Sequence, residues 1–275
     1  MRKFRIIQFV FLVLIVFLVT GCNQQPQSQQ TQVRVPPKKK LVVATDAGFF
    51  PFEMIDKNGN LIGYDIDLAK ALGEYLDMEI EIQGFNGIAG VISALQAQKV
   101  DLGIGAIVIT EKRKESLDFS EPYFHSHQNI VVNNKHKDVK SWEELDKPGI
   151  VIAVARGSAA NQTAQELFKK ATIKQYDGSA EVGQVVSGNQ ADAGMALDNW
   201  VKVCKMYNPD KVHILESQQL GHPQLLGVAV NKGNKELLDK VNAFLERYKE
   251  SGEQAKNYRK WFENSDWKDS VPTRK

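Results

Sequence analysis

Apolar residues along this chain recur with two periods, which alternate from about residue 40 onward. The run LVVAT at 41–45 is short and ends at turn residues, which is typical of a buried strand. From Ile66 to Leu76 the apolar positions recur at helical spacing, and Asp65 is placed to cap this predicted helix. The body of the chain therefore begins with a strand that is followed by a helix.

The same alternation continues along the rest of the chain. Further strands are predicted over 78–83, 100–109, 129–133, 149–155, 174–176, 191–197 and 225–232, and helices over 88–99, 141–145, 158–171, 180–188 and 236–252. Ser141 and Glu144 have the spacing of a capping box, and Gly252 is placed to end the last helix. Strand–helix alternation predicts an α/β fold with mostly parallel sheets and helices on both faces. Its repetition after about residue 130 predicts two lobes with a ligand cleft between them.

The composition is that of an ordinary globular protein. The chain has 275 residues, 43% of them hydrophobic and 25% charged, which is long enough for one large domain or two lobes. Its net charge is +2, and three of the positive charges, Arg2, Lys3 and Arg5, lie in the first five residues. We expect no nucleic-acid partner, because nucleic acid usually requires a strongly basic face.

The segment MRKFRIIQFVFLVLIVFLVTGC at the start combines a basic tip, an apolar core and an exit of small residues. The core is shorter than the roughly 20 residues of a membrane-spanning helix, so it predicts a signal peptide over 1–21; a transmembrane anchor is the alternative. The exit LVTGC resembles the lipobox of bacterial lipoproteins, which implies lipidation of Cys22. Residues 22–40 are rich in Gln and Pro and are predicted to be a flexible tether. We therefore expect a body that is anchored by lipid to the outer face of a cell membrane.

Cysteine chemistry is limited to two positions. Lipidation of Cys22 would leave Cys204 alone, so we expect no internal disulfide. Cys204 follows an apolar stretch and is predicted to be a small buried hydrophobic residue, not a nucleophile.

Several motifs appear in order between about residues 40 and 265: LVVATDAGFFPFEM, GYDIDLAKAL, DLGIGAIVITEKRKESLDFSEPY, ARGSA, ADAGMALD and NYRKWF. In these motifs the chain resembles the bacterial amino-acid-binding proteins of ABC importers, and among them most closely the glutamine-binding members. The resemblance implies a two-lobe periplasmic-binding-protein fold with crossovers at 125–128 and 218–224. The first lobe would contain 41–124 and 225–275, and the second 129–217. It also implies a monomer that needs no cofactor and delivers an amino acid to a membrane permease.

The resemblance implies a set of residues that hold the charged end of the ligand. In the family, an arginine at the position of Arg113 binds the α-carboxylate, to which a guanidinium can donate two parallel bonds. The backbone N–H groups of Ser158 and Ala159, at the start of a predicted helix, would donate to the same carboxylate. Asp198 would accept from the α-ammonium group. The alternatives are a solvated surface arginine at Arg113 and a plain helix cap at Asp198.

The resemblance also implies residues around the side chain of the ligand. Phe49 and Phe85 would sandwich it, and Asp46 would bond its far, polar end; the alternatives are two core phenylalanines and a turn residue. An acid at Asp46 suits an amide or a cation better than a second carboxylate. We therefore predict glutamine first, then arginine, lysine or histidine. The implied ligand-binding set is completed by Gly105, Ala106 and Val108.

Three positions depart from the family pattern. Val108 stands where the family has Thr or Ser, whose hydroxyl also binds the α-ammonium group. The spacing from Asp192 to Asp198 is one residue longer than the pattern, and Arg156 occupies a position that is often small or uncharged. These departures indicate either a reduced ammonium site or a ligand that is not a standard α-amino acid.

Three other classes of protein are alternatives to an amino-acid-binding protein. A metal-binding lipoprotein would need clustered ligands, but His125 and His127 fall in the predicted hinge and no helical pair of histidines is present, so we predict no metal. A cyclohexadienyl-dehydratase-like enzyme would need a general acid, and the position of that family's glutamate is Val201 here, so we predict no catalytic residues. The third alternative, a sensor domain of a signalling protein, would be expected to have a further module after Lys275.

Overall fold

A computed structural model describes residues 39–215, 220–264 and 266–272 of the protein. The predicted signal peptide, the lipidation of Cys22 and all but the last two residues of the predicted tether lie outside these residues. Within them, no helix combines the length and the apolar character that crossing a membrane requires.

The first lobe is built from the first part of the chain and from its return. Its elements before the crossover are strands β1 (Lys40–Asp46), β2 (Met54–Ile55) and β3 (Leu61–Ile62), helix α1 (Tyr64–Leu76), strand β4 (Glu79–Phe85), helix α2 (Ile88–Gln96), strand β5 (Leu102–Gly103), helix α3 (Glu111–Lys114) and strand β6 (Leu117–Phe119).

The second lobe follows, entered and left by two long strands. Its elements are β7 (Phe124–Asn133), β8 (Val151–Ala155), α4 (Ala159–Leu167), β9 (Thr172–Tyr176), α5 (Ser179–Ser187), β10 (Ala193–Leu197), α6 (Asp198–Tyr207), β11 (Val212–Ile214) and β12 (Leu220–Leu226), with 3₁₀ turns at Asn134–His136 and Trp142–Leu145. The return comprises β13 (Ala229–Asn231), α7 (Lys235–Glu250), α8 (Glu253–Tyr258), a π-helical turn (Arg259–Glu263) and a 3₁₀ turn (Asp266–Ser270).

Each lobe has its own mixed sheet. The first has the order β4-β1-β5-β13-β6, in which β1 is parallel to β4 and β5 while β13 is antiparallel to its neighbours. The second has the order β11-β7-β10-β8-β9, in which only β10, β8 and β9 are mutually parallel. The predicted two-lobe α/β fold is confirmed, and its sheets are mixed where mostly parallel ones were expected.

The lobes are joined by β7 and β12, which pair antiparallel from Phe124 opposite Leu226 to Gln128 opposite Leu220. The Nε2 of Gln128 donates to the Oε1 of Gln224 at 3.2 Å and links the two strands through buried side chains. The predicted crossover at 125–128 lies on β7, and the described part of the other, 220–224, lies on β12.

Aromatic packing holds β7 against the first lobe. The ring of Phe52 lies 4.9 Å from that of Phe124 at the start of β7, and 5.1 Å from that of Phe262 in the C-terminal segment. Buried aromatic rings contribute much apolar area, so this cluster fixes where the crossover leaves the first lobe.

Several local predictions need correction. Asp65 does not cap α1: Gly63 is the N-cap, and the buried carboxyl of Asp65 accepts hydrogen bonds within the core. The predicted strand over 100–109 is reduced to Leu102–Gly103, because the chain turns at Ala106, whose φ of 46° is incompatible with a ladder. The capping box of Ser141 and Glu144 is present, but on a 3₁₀ turn. The helix predicted over 158–171 ends at Leu167.

Candidate functional site

A cavity lies between the lobes, where strands of both sheets end and several helices begin. The first lobe contributes Asp46, Phe49, Ile88, Gly105, Ala106, Val108 and Arg113 to its lining. The second lobe contributes Ala155, Ser158, Ala159, Ala160, Ser179, Met195, Ala196 and Leu197. Eight of the ten predicted ligand-binding residues therefore line one cavity, and Phe85 and Asp198 do not.

Arg113 is the cation of the cavity. It lies in the short helix α3, whose N-cap Thr110 accepts from the backbone N–H of Arg113 at 3.2 Å. The guanidinium is buried, and it donates to the carbonyl of Val108 at 2.6 Å and to that of Gly157 at 3.0 Å. Burial lowers the pKa of Arg113 to about 10, so it stays charged at neutral pH.

The charge of Arg113 has no carboxylate partner among the described residues. Its hydrogen bonds to Val108 and Gly157 use two of the five N–H donors of a guanidinium. A buried charge that is bonded only to neutral carbonyls is costly, and an incoming anion would relieve that cost. The geometry therefore suits an anionic ligand group.

The start of helix α4 lies against the same cavity. Ser158 is its N-cap, and the Ser158 Oγ accepts from the N–H of Asn161 at 3.0 Å. The backbone N–H groups of Ala159 and Ala160 lie in the first turn, where a helix offers no internal acceptor. Such N–H groups and the helix dipole favour an anion.

Asp46 is the acid of the cavity, and it lies at the end of β1. Its Oδ1 accepts from the N–H groups of Gly48 at 3.1 Å and Gly87 at 3.3 Å. Burial raises the pKa of Asp46 to about 6, against the opposing effect of these two hydrogen bonds. The carboxyl is therefore mostly ionised at neutral pH and titrates just below it.

The two lobes touch beside Asp46. Gly87 has a φ of 89°, and a Cβ built there would overlap the carbonyl oxygen of Asp177 in the second lobe. Only glycine fits this close approach of two backbones without strain.

The aromatic contact in the cavity differs from the predicted pair. Phe49 lines the cavity and stacks on Trp200 of the second lobe, with ring centroids 6.4 Å apart and planes inclined by 18°. Phe85 is half-buried and packs beside Gly90 instead. Sequence reasoning missed Trp200, because an aromatic residue on an amphipathic helix indicates core packing as readily as a site.

Asp198 and Arg156 lie outside the lining. Asp198 is the first residue of α6; its carboxylate pairs with Lys202 at 2.6 Å and accepts from the Nδ2 of Asn129 at 3.2 Å. The cavity wall at this point is Leu197, the last residue of β10. Arg156 is exposed and pairs with Asp177 at 3.3 Å.

Two buried carboxyl groups, those of Asp65 and Glu53, lie next to the cavity lining. The Oδ2 of Asp65 accepts from the N–H of Ala106 at 2.6 Å and from the hydroxyl of Tyr123 at 2.9 Å. Burial raises the pKa of Asp65 to about 7, and burial together with Asp65 raises the pKa of Glu53 well above its usual range. Both shifts favour the neutral form of these carboxyls in the folded protein, and Asp65 holds the backbone of the lining residue Ala106.

The described residues contain no group of three or more metal-ligating side chains that could hold an ion. Cys204 is buried, and burial raises the pKa of its thiol to about 12, so it is not a nucleophile at neutral pH. Val201, the position of the glutamate in the dehydratase alternative, is wholly buried.

The sequence matches the family model of the bacterial extracellular solute-binding proteins, family 3, over residues 41–264. The chain belongs to this family. The match spans both lobes, and the predicted family is confirmed.

Individual relatives of this family 3 protein include transport proteins of two specificities. It is 28% identical over 250 residues to the arginine-binding extracellular protein ArtP of Bacillus subtilis (strain 168), covering 90% of this chain and 94% of that protein. It is 29% identical over 245 residues to the ABC transporter glutamine-binding protein GlnH of the same organism, covering 88% of each. These matches are of similar extent, so they do not favour glutamine over arginine, and the predicted preference for glutamine is not supported.

A solved structure shows the same fold. The ancestral amino-acid-binding protein AncCDT-1, described as a precursor of cyclohexadienyl dehydratase, superposes with a TM-score of 0.75 and 38% sequence identity, covering 81% of this chain and 95% of that one. The match supports the two-lobe fold of this chain.

Proposed function

We propose that this family 3 protein is the substrate-binding component of an ABC importer and captures a polar amino acid with a cationic or amide side chain. The ligand enters the cleft, the lobes close over it, and the closed form delivers it to a membrane permease. Arginine, lysine, histidine and glutamine are the candidates, and none of them is ranked first.

The observation that supports this proposal most is the buried guanidinium of Arg113. It has no acid partner among the described side chains, and it lies on a cavity that also receives the N-terminus of α4. A ligand carboxylate would take charge-assisted bonds from both, each worth about 1.5–3 kcal/mol when charged groups are involved.

Asp46 supports the choice of side chain. It is the only carboxyl group among the described lining residues, and its Oδ1 is already bonded to two N–H groups, which leaves Oδ2 for the ligand. A guanidinium, ammonium, imidazolium or amide can donate to it. A second carboxylate would have to share a proton with it, which argues against glutamate.

A ligand that bonds to both lobes favours closure. The equilibrium between the open and closed states shifts only if the ligand binds the closed state more tightly than the open one. Arg113, Asp46 and Phe49 belong to the first lobe, and Ser158 and Ala159 to the second. We further propose that the protein acts as a monomer that is lipid-anchored through Cys22.

We propose binding without catalysis. A dehydratase needs a general acid in its cleft. The position at issue is the apolar Val201, and the one carboxyl that lines the described cavity, Asp46, has the ligand-binding role above.

The test is a calorimetric titration of the purified protein with Arg, Lys, His, Gln and Glu. We expect at least one of the first four to bind with a dissociation constant of about 10 μM or below, which corresponds to about −7 kcal/mol. Binding of glutamate in preference to all four, or no binding tighter than about 1 mM by any of them, would contradict the proposal.

A further inference from the structure

The side chain of Ser179 lines the cavity from the second lobe. It is 5% exposed, and its hydroxyl forms no hydrogen bond with the part of the chain that the structure describes. A buried hydroxyl without a partner costs free energy, and a polar group of a ligand would remove that cost. The hydroxyl of Ser179 is therefore available to a ligand in the cavity.

The usual role of a serine at the start of a helix is to cap it, and Ser179 does not have that role. It is the first residue of α5, whose N-cap is Gly178, and no side chain caps this helix. The N–H groups of Glu181 and Val182 donate to the carbonyl of Gly178 at 3.1 and 3.3 Å. Because backbone groups form this first turn, the fold does not need the hydroxyl of Ser179.

The two chain neighbours of Ser179 lie against the glycines that hold Asp46. The Oδ1 of Asp46 accepts from the N–H groups of Gly48 and Gly87. A Cβ built on Gly48 would lie 3.4 Å from the Cβ of Ala180, and one built on Gly178 would lie 3.6 Å from the amide nitrogen of Gly87. Ser179 therefore enters the cavity at the end where Asp46 lies.

The chemistry of the two side chains is complementary. Asp46 has its Oδ2 left for the ligand, whereas a serine hydroxyl can both donate and accept. A guanidinium, an ammonium, an imidazolium and a carboxamide each carry at least two N–H donors, so one can bond to Asp46 and another to Ser179. A carboxamide can also accept from the hydroxyl through its oxygen.

We infer that Ser179 is a specificity-determining residue that bonds to the far end of the ligand side chain from the second lobe, while Asp46 bonds to it from the first. This inference rests on the proposed function and adds a second bridge between the lobes to the one that the ligand carboxylate makes. Closure would then depend on the side chain of the ligand as well as on its α-carbon groups.

The test is a calorimetric titration of the unmodified protein and of Ser179→Ala with Arg, Lys, His and Gln. Norvaline is added as a fifth compound, measured by displacement, because it has the same α-carbon groups and an apolar side chain. For the tightest of the four ligands we expect Ser179→Ala to lose at least about fivefold in affinity. The affinity for norvaline should change by less than about twofold.

The matched control is Ser187→Ala, at the last residue of α5 and outside the cavity lining, which should bind all five compounds as the unmodified protein does. The unfolding temperature of Ser179→Ala should match that of the unmodified protein, since Ser179 caps nothing.

Two results would overturn the inference and leave the proposed function standing. One is a loss of less than about twofold for the tightest ligand in Ser179→Ala. The other is an equal loss for norvaline or, where norvaline displaces nothing, equal losses for all of the four ligands that bind, because the hydroxyl would then bond to the α-carbon groups that these compounds share. If none of the four binds the unmodified protein, the proposed function itself fails.

Discussion

The guanidinium of Arg113 in the first lobe donates a hydrogen bond of 3.0 Å to the carbonyl of Gly157 in the second lobe. The bond joins the lobes at the residue that precedes Ser158, the N-cap of α4. It therefore brings the positive charge and the free N–H groups of the helix start to one place. A carboxylate held there contacts both lobes at once, which is the requirement for ligand-driven closure.

The first prediction concerns the pH dependence of binding. Burial raises the pKa of Asp46 to about 6, so its negative charge disappears as the pH falls through this value. Affinity for a cationic ligand should therefore fall by about tenfold between pH 7 and pH 5, measured by titration at each pH. Asp65, whose pKa is raised to about 7, also titrates in this range. Asp46→Asn separates the two effects: it should bind the ligand weakly at both pH values, and a tenfold change that persists in this variant would assign the effect to Asp65.

The second prediction concerns stability. The pKa of Asp46 is about 6 in the folded protein and 3.8 for the unperturbed group. The folded state therefore holds the proton more tightly, and this stabilisation is complete below about pH 4 and lost as the pH rises through 6. At pH 7.5 Asp46→Asn should be more stable than the unmodified protein by about 2–3 kcal/mol in chemical denaturation. The exposed Asp239→Asn is the control and should change stability little. A less stable Asp46→Asn protein would be the opposite result.

The third prediction uses the stack of Phe49 on Trp200, which joins the two lobes. Opening the cleft breaks this contact, so binding of a ligand should change the tryptophan fluorescence. The change should disappear in Trp200→Phe and persist in Trp142→Phe, because Trp142 packs on Phe168 within the second lobe. A ligand-induced change that survives in Trp200→Phe would show that the stack does not respond to closure.

The fourth prediction concerns the buried carboxyl of Glu53, whose pKa is raised well above its usual range by burial and by Asp65. A raised pKa means that the fold favours the neutral carboxyl, and glutamine is neutral and of similar size, so Glu53→Gln should change the free energy of unfolding at pH 7 by less than about 1 kcal/mol. Glu53→Ala leaves a cavity and should cost about 2–5 kcal/mol. A Glu53→Gln protein that is more stable than the unmodified protein by well over 1 kcal/mol would mean that Glu53 is ionised in the folded protein at this pH, and a loss as large as that of Glu53→Ala would contradict the prediction.

The sequence was sufficient for the fold and for eight of the residues that line the cavity, six from the first lobe and two from the second. Periodicity located most strands and helices, and the family resemblance carried by the motif around Arg113 indicated that this arginine faces a ligand, since both depend on residues close together in the chain. The end of β10 could not be predicted from the sequence. The strand continues through Leu197, so that Leu197 and not Asp198 lines the cavity. A period of two places alternate residues on one face, but the last residue of a strand depends on its neighbours in the sheet.

The remaining misses concern contacts between distant segments. Phe49 meets Trp200 only because the lobes close on each other, and no local pattern distinguishes Trp200 from a core residue. The carboxyl pair of Glu53 and Asp65 is likewise formed by packing around Tyr123 in the folded first lobe. The partners of a buried polar residue can be assigned only when the fold that buries it is known.

The proposed role of Arg113 is tested most directly by a calorimetric titration of Arg113→Ala with whichever of Arg, Lys, His and Gln binds the unmodified protein most tightly. We expect a loss of at least about a hundredfold in affinity, because the ligand carboxylate would be buried without its cation at a cost of about 3–5 kcal/mol. Arg156→Ala removes an exposed arginine that does not line the cavity, and this variant should bind as the unmodified protein does. Normal binding by a folded Arg113→Ala protein would show that Arg113 does not hold the ligand carboxylate.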